Sequence, residues 1–193
     1  MTKRGKYINI VEMNITAERV STEKLLAYRI LKVNHAGEHG AVNIYRGQAF
    51  ACRWRAPELI SQLLEFKAHE EGHRTHFAKH LAIRGVHRCR SYHVCGLGGL
   101  CLGIITGLLG RSAVAATTVA VEKVVLRHLE DQIALLSPTD LEACEVVKKI
   151  VEEEKAHHDI AELELKQGSF WPHILMPIVA GSTEFVIWLG MRL

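Results

Sequence analysis

Glu154-Lys155-Ala156-His157 decides the fold, because it repeats an earlier stretch of the chain, Glu70-Glu71-Gly72-His73. Residues i and i+3 of a helix lie on one face, so each glutamate and its histidine project toward one point. One Glu-x-x-His motif is a weak signal. However, of the 12 histidines in the chain only His73 and His157 have a glutamate three residues before them. The two motifs lie 84 positions apart (154 − 70), which indicates an internal repeat.

The same offset relates two further glutamates. Glu38 and Glu122 are also 84 positions apart, and each stands 32 residues before the glutamate of a motif. The chain therefore contains the pattern Glu…Glu-x-x-His twice. Four carboxylates and two imidazoles from four helices are the ligand set of a di-iron or di-manganese site in a ferritin-like bundle. The predicted metal ligands are Glu38, Glu70, His73, Glu122, Glu154 and His157.

The alternative is a set of surface glutamates in ordinary salt bridges. That alternative predicts no common offset, and it predicts polar surroundings. Instead, Glu122 follows Ala120 and Val121 after a long uncharged run, and a buried charge needs a partner or a metal. Iron suits mixed carboxylate and imidazole ligands. We predict that Glu70 and Glu154 bridge two metals. The terminal carboxylates are then Glu38 and Glu122, with His73 and His157 one on each metal.

The overall composition restricts the class of protein. With 193 residues the chain is long enough for one domain with a substantial core, and we assign an N-terminal extension to residues 1–20 and a single domain to 21–193. A net charge of +3 and no basic patch in the sequence argue against a nucleic-acid partner. Five cysteines without a Cys-x-x-Cys motif indicate a reducing compartment and no disulfide framework. No signal peptide or transit segment is evident.

The sequence pattern predicts helices and no strand of useful length. The predicted helices, in order, run from Ser21 or Thr22 to Cys52, from Pro57 to Gly85, from Ser112 onward, from a cap at Ser137 to Gly168, and from Pro172 onward. Arg53–Ala56 is the predicted turn between the first two helices. The last of these helices is the short fifth one, kinked near Pro177 or broken at Gly181. The fold class is therefore all-α, a ferritin-like four-helix bundle with a short C-terminal helix.

The run Val94–Gly110 contains no charge. Gly99, Gly103 and Gly107 form a small-xxx-small ridge in it, and Gly37, Gly40 and Gly47 of the first helix suggest close helix approach around Glu38. Three interpretations compete: a buried crossover helix, a helix seated in one face of a membrane, and a true span. A span would put Glu70 and Glu122 on opposite sides of a bilayer, so we reject it. The first two interpretations are compatible.

The second predicted helix has a stripe of histidines, His69, His73, His76 and His80. His69 and His73 alone could form a zinc pair. The repeat argues against zinc, because adding 84 to the other three positions gives Glu153, Ile160 and Glu164, and only His73 finds a histidine. We expect those three histidines on the surface or behind the ligands.

Three motifs resemble those of the demethoxyubiquinone hydroxylases of ubiquinone biosynthesis: Asn34-His35-Ala36-Gly37-Glu38-His39-Gly40-Ala41, Val119-Ala120-Val121-Glu122 and Glu153-Glu154-Lys155-Ala156-His157-His158-Asp159. The resemblance covers residues 25 to 193 approximately. It implies a membrane-associated di-iron monooxygenase that hydroxylates the ring of a demethoxyubiquinone (2-polyprenyl-3-methyl-6-methoxy-1,4-benzoquinol) with dioxygen. The implied cofactors are two iron ions and an external electron donor, for which NADH is a candidate. Leu129 and Trp188 stand where animal members have tyrosines.

The resemblance also implies the partners: a polyprenylated quinone, dioxygen, a membrane surface and other ubiquinone-biosynthesis proteins, with no nucleic acid. We expect a peripheral protein on the cytoplasmic face of a bacterial membrane, or on the matrix face of the mitochondrial inner membrane if the source is eukaryotic. Three other functions stay open. They are a ferritin-like iron store or ferroxidase, a non-catalytic lipid-binding module, and another di-iron hydroxylase such as one acting on tRNA.

Overall fold

Helices make up nearly all of the chain in a computed structural model, which describes residues 3–165 and 169–193, without the side chains of 3–19 and Ser21. One 3-10 turn (Pro57–Leu59) and six helices follow in order: α1 (Lys3–Arg55), α2 (Ile60–Ile83), α3 (Tyr92–Leu109), α4 (Arg111–Leu136), α5 (Leu141–Leu163) and α6 (Trp171–Gly190). Helices α1 and α2 pair, as do α4 and α5, and α3 crosses between the pairs. The predicted all-α, ferritin-like architecture is confirmed.

The first helix is longer than its sequence pattern predicts. It begins at Lys3, so the predicted start at Ser21 or Thr22 is wrong. Serine and threonine cap a helix only where the preceding backbone leaves the helical conformation. No proline stands before Ser21, and nothing therefore stops the helix from continuing through it. The helix also runs on through Arg55, which reduces the predicted turn over Arg53–Ala56 to its last residue.

The two ends of α2 follow the prediction. Pro57 stands in the first turn of the 3-10 segment that leads into the helix. Gly85 has a φ of 64°, in the left-handed region that favours glycine. Its N–H donates to the Ala82 carbonyl at 3.1 Å, and the Val86 N–H donates to the Leu81 carbonyl at 2.9 Å. These two bonds form the Schellman motif that ends many helices.

The predicted caps of the next two helices are wrong by two or three residues. Gly110, with a φ of 91°, precedes α4, whereas Ser112 lies inside the helix. Asp140 caps α5, because its carboxylate accepts a hydrogen bond from the Ala143 N–H at 3.0 Å. Ser137 still has helical backbone angles at the end of α4, so it cannot act as an N-cap.

The C-terminal part of the chain contains one further helix. α5 ends at Leu163, while Gly168, the predicted end, lies outside the described residues. α6 has Pro172 in its first turn, as predicted. It continues through both Pro177 and Gly181, so the predicted break at Gly181 is wrong. A kink near Pro177 stays a prediction.

Apolar clusters lie on both sides of the predicted ligands along the bundle. On α2, Phe66 comes before Glu70 and Phe77 comes after His73. Phe77 belongs to a cluster that includes Leu31, Leu81, Leu129, Leu136, Val147 and Ile150, and Phe66 to one that includes Tyr45, Cys52, Leu59, Leu63 and Val114. All five cysteines are free. Both clusters separate the ligands from the two ends of the bundle.

The glycine ridge of α3 packs directly on α1. A Cβ atom added to Gly103 would lie 2.1 Å from the Ile44 carbonyl oxygen, and one added to Gly99 would lie 2.3 Å from the Gly40 oxygen. Helices that approach this closely require glycine at the contact. A Cβ atom added to Gly47 of α1 would lie 2.7 Å from the Leu100 carbonyl oxygen, but Gly37 has nothing within 4 Å, so its predicted role in close approach is wrong.

The opposite face of α3 is apolar and exposed, as is most of α6. Both helices are long and apolar enough to cross a membrane, although only 28% of the α3 segment and 11% of the α6 segment are buried. A span by α3 would separate Glu70 from Glu122, and the two lie in one cluster. This is the reason for which the sequence argued against a span. α3 therefore buries Gly99, Gly103 and Gly107 against α1 and leaves Leu97, Ile105 and Leu108 exposed.

We expect Gly103→Ala to lower the free energy of unfolding by about 1–3 kcal/mol, because the added methyl group would meet backbone that cannot move independently. The matched control is Gly98→Ala on the same helix, where nothing lies within 4 Å. That change should raise the free energy of unfolding by up to about 1 kcal/mol. Denaturant unfolding in detergent measures both, and equal effects would contradict the close packing.

Candidate metal centre

Four helices bring the six predicted ligands together in the interior of the bundle. α1 contributes Glu38, α2 contributes Glu70 and His73, α4 contributes Glu122, and α5 contributes the remaining pair. No member of the set is more than 5% exposed, and the six are Glu38, Glu70, His73, Glu122, Glu154 and His157. Charged side chains are almost never buried this deeply without partners. Their grouping therefore needs a compensating interaction.

The six side chains form two groups that share two members. Glu70 and Glu154 belong to both groups, and within each group the potential ligand atoms lie within 4.8 Å of one another. One group is completed by Glu38 and His73, the other by Glu122 and His157. Each group thus contains three carboxylates and one imidazole. This is the arrangement that the internal repeat predicted, although the ligand roles stay a prediction.

Both imidazole rings direct Nδ1 toward the shared carboxylates. Nδ1 of His73 lies 3.1 Å from Glu154 Oε1 and 3.6 Å from Glu70 Oε2. Nδ1 of His157 lies 3.2 Å from Glu70 Oε1 and 3.4 Å from Glu154 Oε2. The Nδ1 atoms face the space between the carboxylates, where a metal ion would sit.

Several buried polar atoms at this point form no hydrogen bond with the described residues. They include Nδ1 of His73 and of His157, Oε1 of Glu70 and Oε2 of Glu154. A buried polar atom without a partner costs roughly 1–3 kcal/mol. Carboxylate oxygen and imidazole nitrogen are suitable donors for iron. The residues present therefore fit the pair of iron ions that the sequence pattern implies.

Two residues support the histidines from behind. Nε2 of His73 lies 3.0 Å from Glu153 Oε2, and Nε2 of His157 lies 3.0 Å from His69 Nδ1. Positions 69 and 153 are themselves related by the offset of 84, and each contacts the histidine of the other motif. His69 therefore lies behind the candidate ligands, which is one of the two positions expected for it. It belongs to neither set of candidate ligands. Such contacts fix the orientation of a metal-binding ring.

The remaining members of the histidine stripe do not reach the site. His76 is exposed. His80 is buried, but its Nδ1 lies 3.0 Å from the Arg84 guanidinium and 3.5 Å from Glu142. Neither histidine belongs to a group of candidate ligands among the described residues.

Sequence reasoning missed the role of Tyr45. Its hydroxyl donates a hydrogen bond of 2.7 Å to Glu122 Oε1, and its ring is 2% exposed. Tyr45 stands seven residues after Glu38, two helical turns along the same face of α1, and this spacing could have indicated it. Leu129 is buried, and Trp188 is half-exposed on α6.

The carboxyl groups of Glu38 and Glu122 hold protons easily in this environment. Burial raises the pKa of Glu38 and of Glu122 well above the ordinary value, and the nearby carboxylates of Glu70 and Glu154 raise each further. Four negative charges cannot be maintained together in a space of this size without cations.

The two histidines take up positive charge instead. Burial alone would lower the pKa of His73 and of His157, but the carboxylates of Glu154 and Glu70 outweigh it. The pKa rises to about 12 for His73 and to about 9 for His157. Burial would raise the pKa of Glu70, yet its contacts with both histidines hold it at about 2. Protons thus balance the charge of the site when no metal is bound.

An all-helical bundle with two overlapping carboxylate and imidazole groups at its centre defines a ferritin-like protein with a candidate two-metal site. The family described as "Ubiquinone biosynthesis protein COQ7" matches residues 26–190. The chain belongs to this family, as its motifs predicted.

Curated relatives support the same assignment. The chain is 33% identical to "3-demethoxyubiquinol 3-hydroxylase" of Rhodospirillum rubrum, over 85% of this chain and 77% of that protein. It is 31% identical to "NADPH-dependent 3-demethoxyubiquinone 3-hydroxylase, mitochondrial" of Dictyostelium discoideum, over 99% and 89% of the two chains. The human protein of the same description is 32% identical, over 86% and 77%. The alternatives, a ferritin-like iron-binding or ferroxidase protein and another di-iron hydroxylase, are not favoured.

We expect metal binding to release protons and to strengthen as pH rises. Both histidines have raised pKa values and are protonated at neutral pH, and Glu38 and Glu122 hold protons easily. A metal ion must displace these protons, and each one released raises the association constant about tenfold per pH unit. Calorimetry with Co²⁺ in buffers of different ionisation heat measures the number released. His76→Ala should not change this number, whereas a binding constant independent of pH would contradict the charge balance.

Proposed function

We propose that this chain is a di-iron monooxygenase that hydroxylates the ring of a demethoxyubiquinone with dioxygen. The observation that carries the proposal is a cavity of about 350 Å³ that leads to the candidate metal centre. Its inner end is formed by the four glutamates Glu38, Glu70, Glu122 and Glu154. Its walls include α3 and α6, the two helices with exposed apolar faces.

The lining of this cavity suits a quinone with an apolar tail. Apolar side chains from four helices form most of it, among them Val33, Ile44, Leu102, Val121, Val125, Leu129, Val186 and Ile187. Gly37 and Gly98 also line it, where a side chain would occupy its space. Binding sites for apolar small molecules have this character, with a few polar groups where the chemistry occurs. The family membership and the names of the relatives support the same substrate class.

In this proposal the six buried side chains hold two iron ions. Glu70 and Glu154 would serve both ions, because these two carboxylates are shared by both groups. The terminal ligands are then Glu38 with His73 on one iron and Glu122 with His157 on the other. Four carboxylates balance the charge of two ferrous ions, which removes the need for the protons described above.

Bound iron would supply the chemistry that the side chains cannot, which is the activation of dioxygen for insertion into a ring C–H bond. The reaction consumes one dioxygen, two electrons and two protons, and yields the ring hydroxyl and one water. The protein holds the donor atoms in position, excludes water through the apolar clusters on either side, and directs the ring toward the glutamates. Tyr45 orients Glu122 through its hydrogen bond.

We propose a reduced nicotinamide as the external electron source. NADH is the candidate from the sequence, and the eukaryotic relatives are named NADPH-dependent. The bacterial relative carries no such term in its name. Comparing NADH with NADPH as reductant of the iron-loaded protein distinguishes the two.

We further propose that the protein lies on a membrane surface through α3 and α6. Exposed apolar side chains form a stripe on each helix, Val94, Leu97, Ile105 and Leu108 on α3 and Ile174, Ile178, Phe185 and Trp188 on α6. Apolar area buried in lipid contributes about 25 cal/mol per Å². The area of the two stripes is therefore suited to reversible attachment. A polyprenylated substrate could then enter the cavity directly from the lipid. The relatives from eukaryotes are named mitochondrial.

Iron content tests the ligand roles. We expect about two irons per chain in the unchanged protein, close to none in Glu154→Ala and about one in Glu38→Ala, because a bridging carboxylate serves both metals and a terminal one serves a single metal. His76→Ala is the control, since His76 is exposed and outside both groups. Elemental analysis with Mössbauer spectroscopy gives the stoichiometry. Two irons retained in Glu154→Ala would contradict the bridging role.

Turnover under ¹⁸O₂ tests the reaction. The new ring hydroxyl should carry the label by mass spectrometry, and Glu122→Ala should abolish the product. Tyr45→Phe removes only the hydrogen bond to Glu122 and should lower the rate roughly 10- to 100-fold. Label that arrives from water, or full activity in iron-free protein, would refute the monooxygenase proposal.

A further inference from the structure

The apolar stripes of α3 and α6 end at the same end of the molecule. The loop before α3 meets the end of α6 there, because the thiol of Cys89 lies 3.9 Å from the Gly190 carbonyl oxygen. Gly190 also packs close to Ser91. The first residues of α3 and the last residues of α6 therefore form one continuous surface, at which both stripes stop.

Arginines stand where the stripes stop. Arg88 and Arg90 lie in the loop before α3, and Arg192 follows α6; all three are exposed, and we call them the cationic edge. Arg88 lies over the Tyr92 ring at 5.0 Å, and Arg192 lies over the Trp188 ring at 3.9 Å. Each of these two guanidinium groups thus sits beside an aromatic ring with a polar atom, next to exposed apolar side chains.

No carboxylate of the described residues forms an ion pair with the cationic edge. Some arginines elsewhere do form ion pairs: Arg84 lies 3.0 Å from Asp140, and Arg111 lies 2.9 Å from Glu58. The sequence contains no acidic residue between Glu71 and Glu122. Basic residues stand together here although the net charge is only +3, because the charges of opposite sign are segregated along the chain.

The positive field of this region also acts on neighbouring histidines. Burial and the charges of Arg74, His39 and Arg88 hold the pKa of His35 at about 4. Both rings stack on Tyr92, with centroid distances of 4.8 Å and 4.0 Å.

We propose that the cationic edge binds the phosphate groups of anionic phospholipids while the stripes of α3 and α6 lie in the same leaflet. The inference rests on the membrane attachment proposed above. It adds the class of lipid headgroup that is bound and the end of the molecule that binds it. Basic side chains beside a membrane surface are attracted to anionic lipid. Aromatic rings with a polar atom are typical of the boundary between lipid and water. RNA would use the arginines but would leave the adjoining apolar stripes without a role.

Flotation with vesicles tests the proposal. We expect tighter binding to phosphatidylcholine vesicles that contain phosphatidylglycerol than to vesicles of phosphatidylcholine alone. Each arginine near the surface contributes roughly a factor of five, so the preference is about a hundredfold at low salt and falls as salt is added. The triple variant Arg88→Gln, Arg90→Gln, Arg192→Gln should lose the preference and keep its binding to neutral vesicles.

The matched control removes the same charge from α5, in the triple variant Lys148→Gln, Lys149→Gln, Lys155→Gln. These lysines are exposed on a helix that packs on α4 and α2, so the control should keep the preference. If the triple variant fails to fold, Arg192→Gln alone is a milder variant. It should lower the preference for anionic vesicles about fivefold. An equal preference in the arginine variants and the control would overturn the proposal. So would single-stranded RNA that binds the protein more tightly than anionic vesicles and loses that affinity in the arginine variant.

Two further measurements separate this proposal from the proposed function. Leu97→Ser with Leu108→Ser should weaken binding to both kinds of vesicle, which tests the attachment itself. Hydroxylation of quinone in detergent should be unchanged in the arginine variant, because the cationic edge does not line the cavity. Absence of hydroxylation in the unchanged protein would refute the proposed reaction, and the vesicle preference would still decide the role of the cationic edge.

Discussion

Burial of four carboxylates inside a helical bundle is the constraint on which the rest of this structure depends. An ionised carboxylate in an apolar interior is costly unless it has a partner of opposite charge or a metal. Here Glu38, Glu70, Glu122 and Glu154 all point into one space, with only two imidazoles to balance them. Without metal, raised pKa values at Glu38 and Glu122 relieve the repulsion through protons. Protons and cations are thus two ways to balance the charge of the same four carboxylates.

This constraint also explains the long helices and their apolar clusters. Four helices must present glutamate at the same level, and each must continue well beyond that level to be held in place by packing. The clusters around Phe66 and Phe77 provide that packing on both sides of the ligands. They also keep water away from the carboxylates, which strengthens every electrostatic interaction between them. Tyr45, His69 and Glu153 then fix the orientation of three of the side chains.

The two helices outside the repeat give the bundle an asymmetry that its internal symmetry would not produce. α3 lies so close to α1 that glycine is required at the contact, and α6 packs on α4. Between them the cavity opens to the glutamates. The outer faces of the same helices are apolar, and arginines stand at one end of them. One side of the molecule thus combines access to the site with a surface suited to lipid, while the α2 and α5 side contains the groups that support the histidines.

The sequence by itself predicted which six side chains come together in the interior, the helical class and the close contact of α3. These features follow from local geometry. Residues i and i+3 share a helix face, the offset of 84 relates two halves, and a row of glycines lets two helices pack closely. Only the tertiary structure decided that Tyr45 bonds Glu122, that His69 and Glu153 each support the histidine of the other motif, and that Arg88 and Arg192 meet at one edge. Such contacts depend on the rotation and spacing of separate helices, which no local pattern encodes. The helix ends at Lys3, Gly110 and Asp140 differ from prediction for the same reason, because a capping residue acts only where the surrounding chain ends the helix.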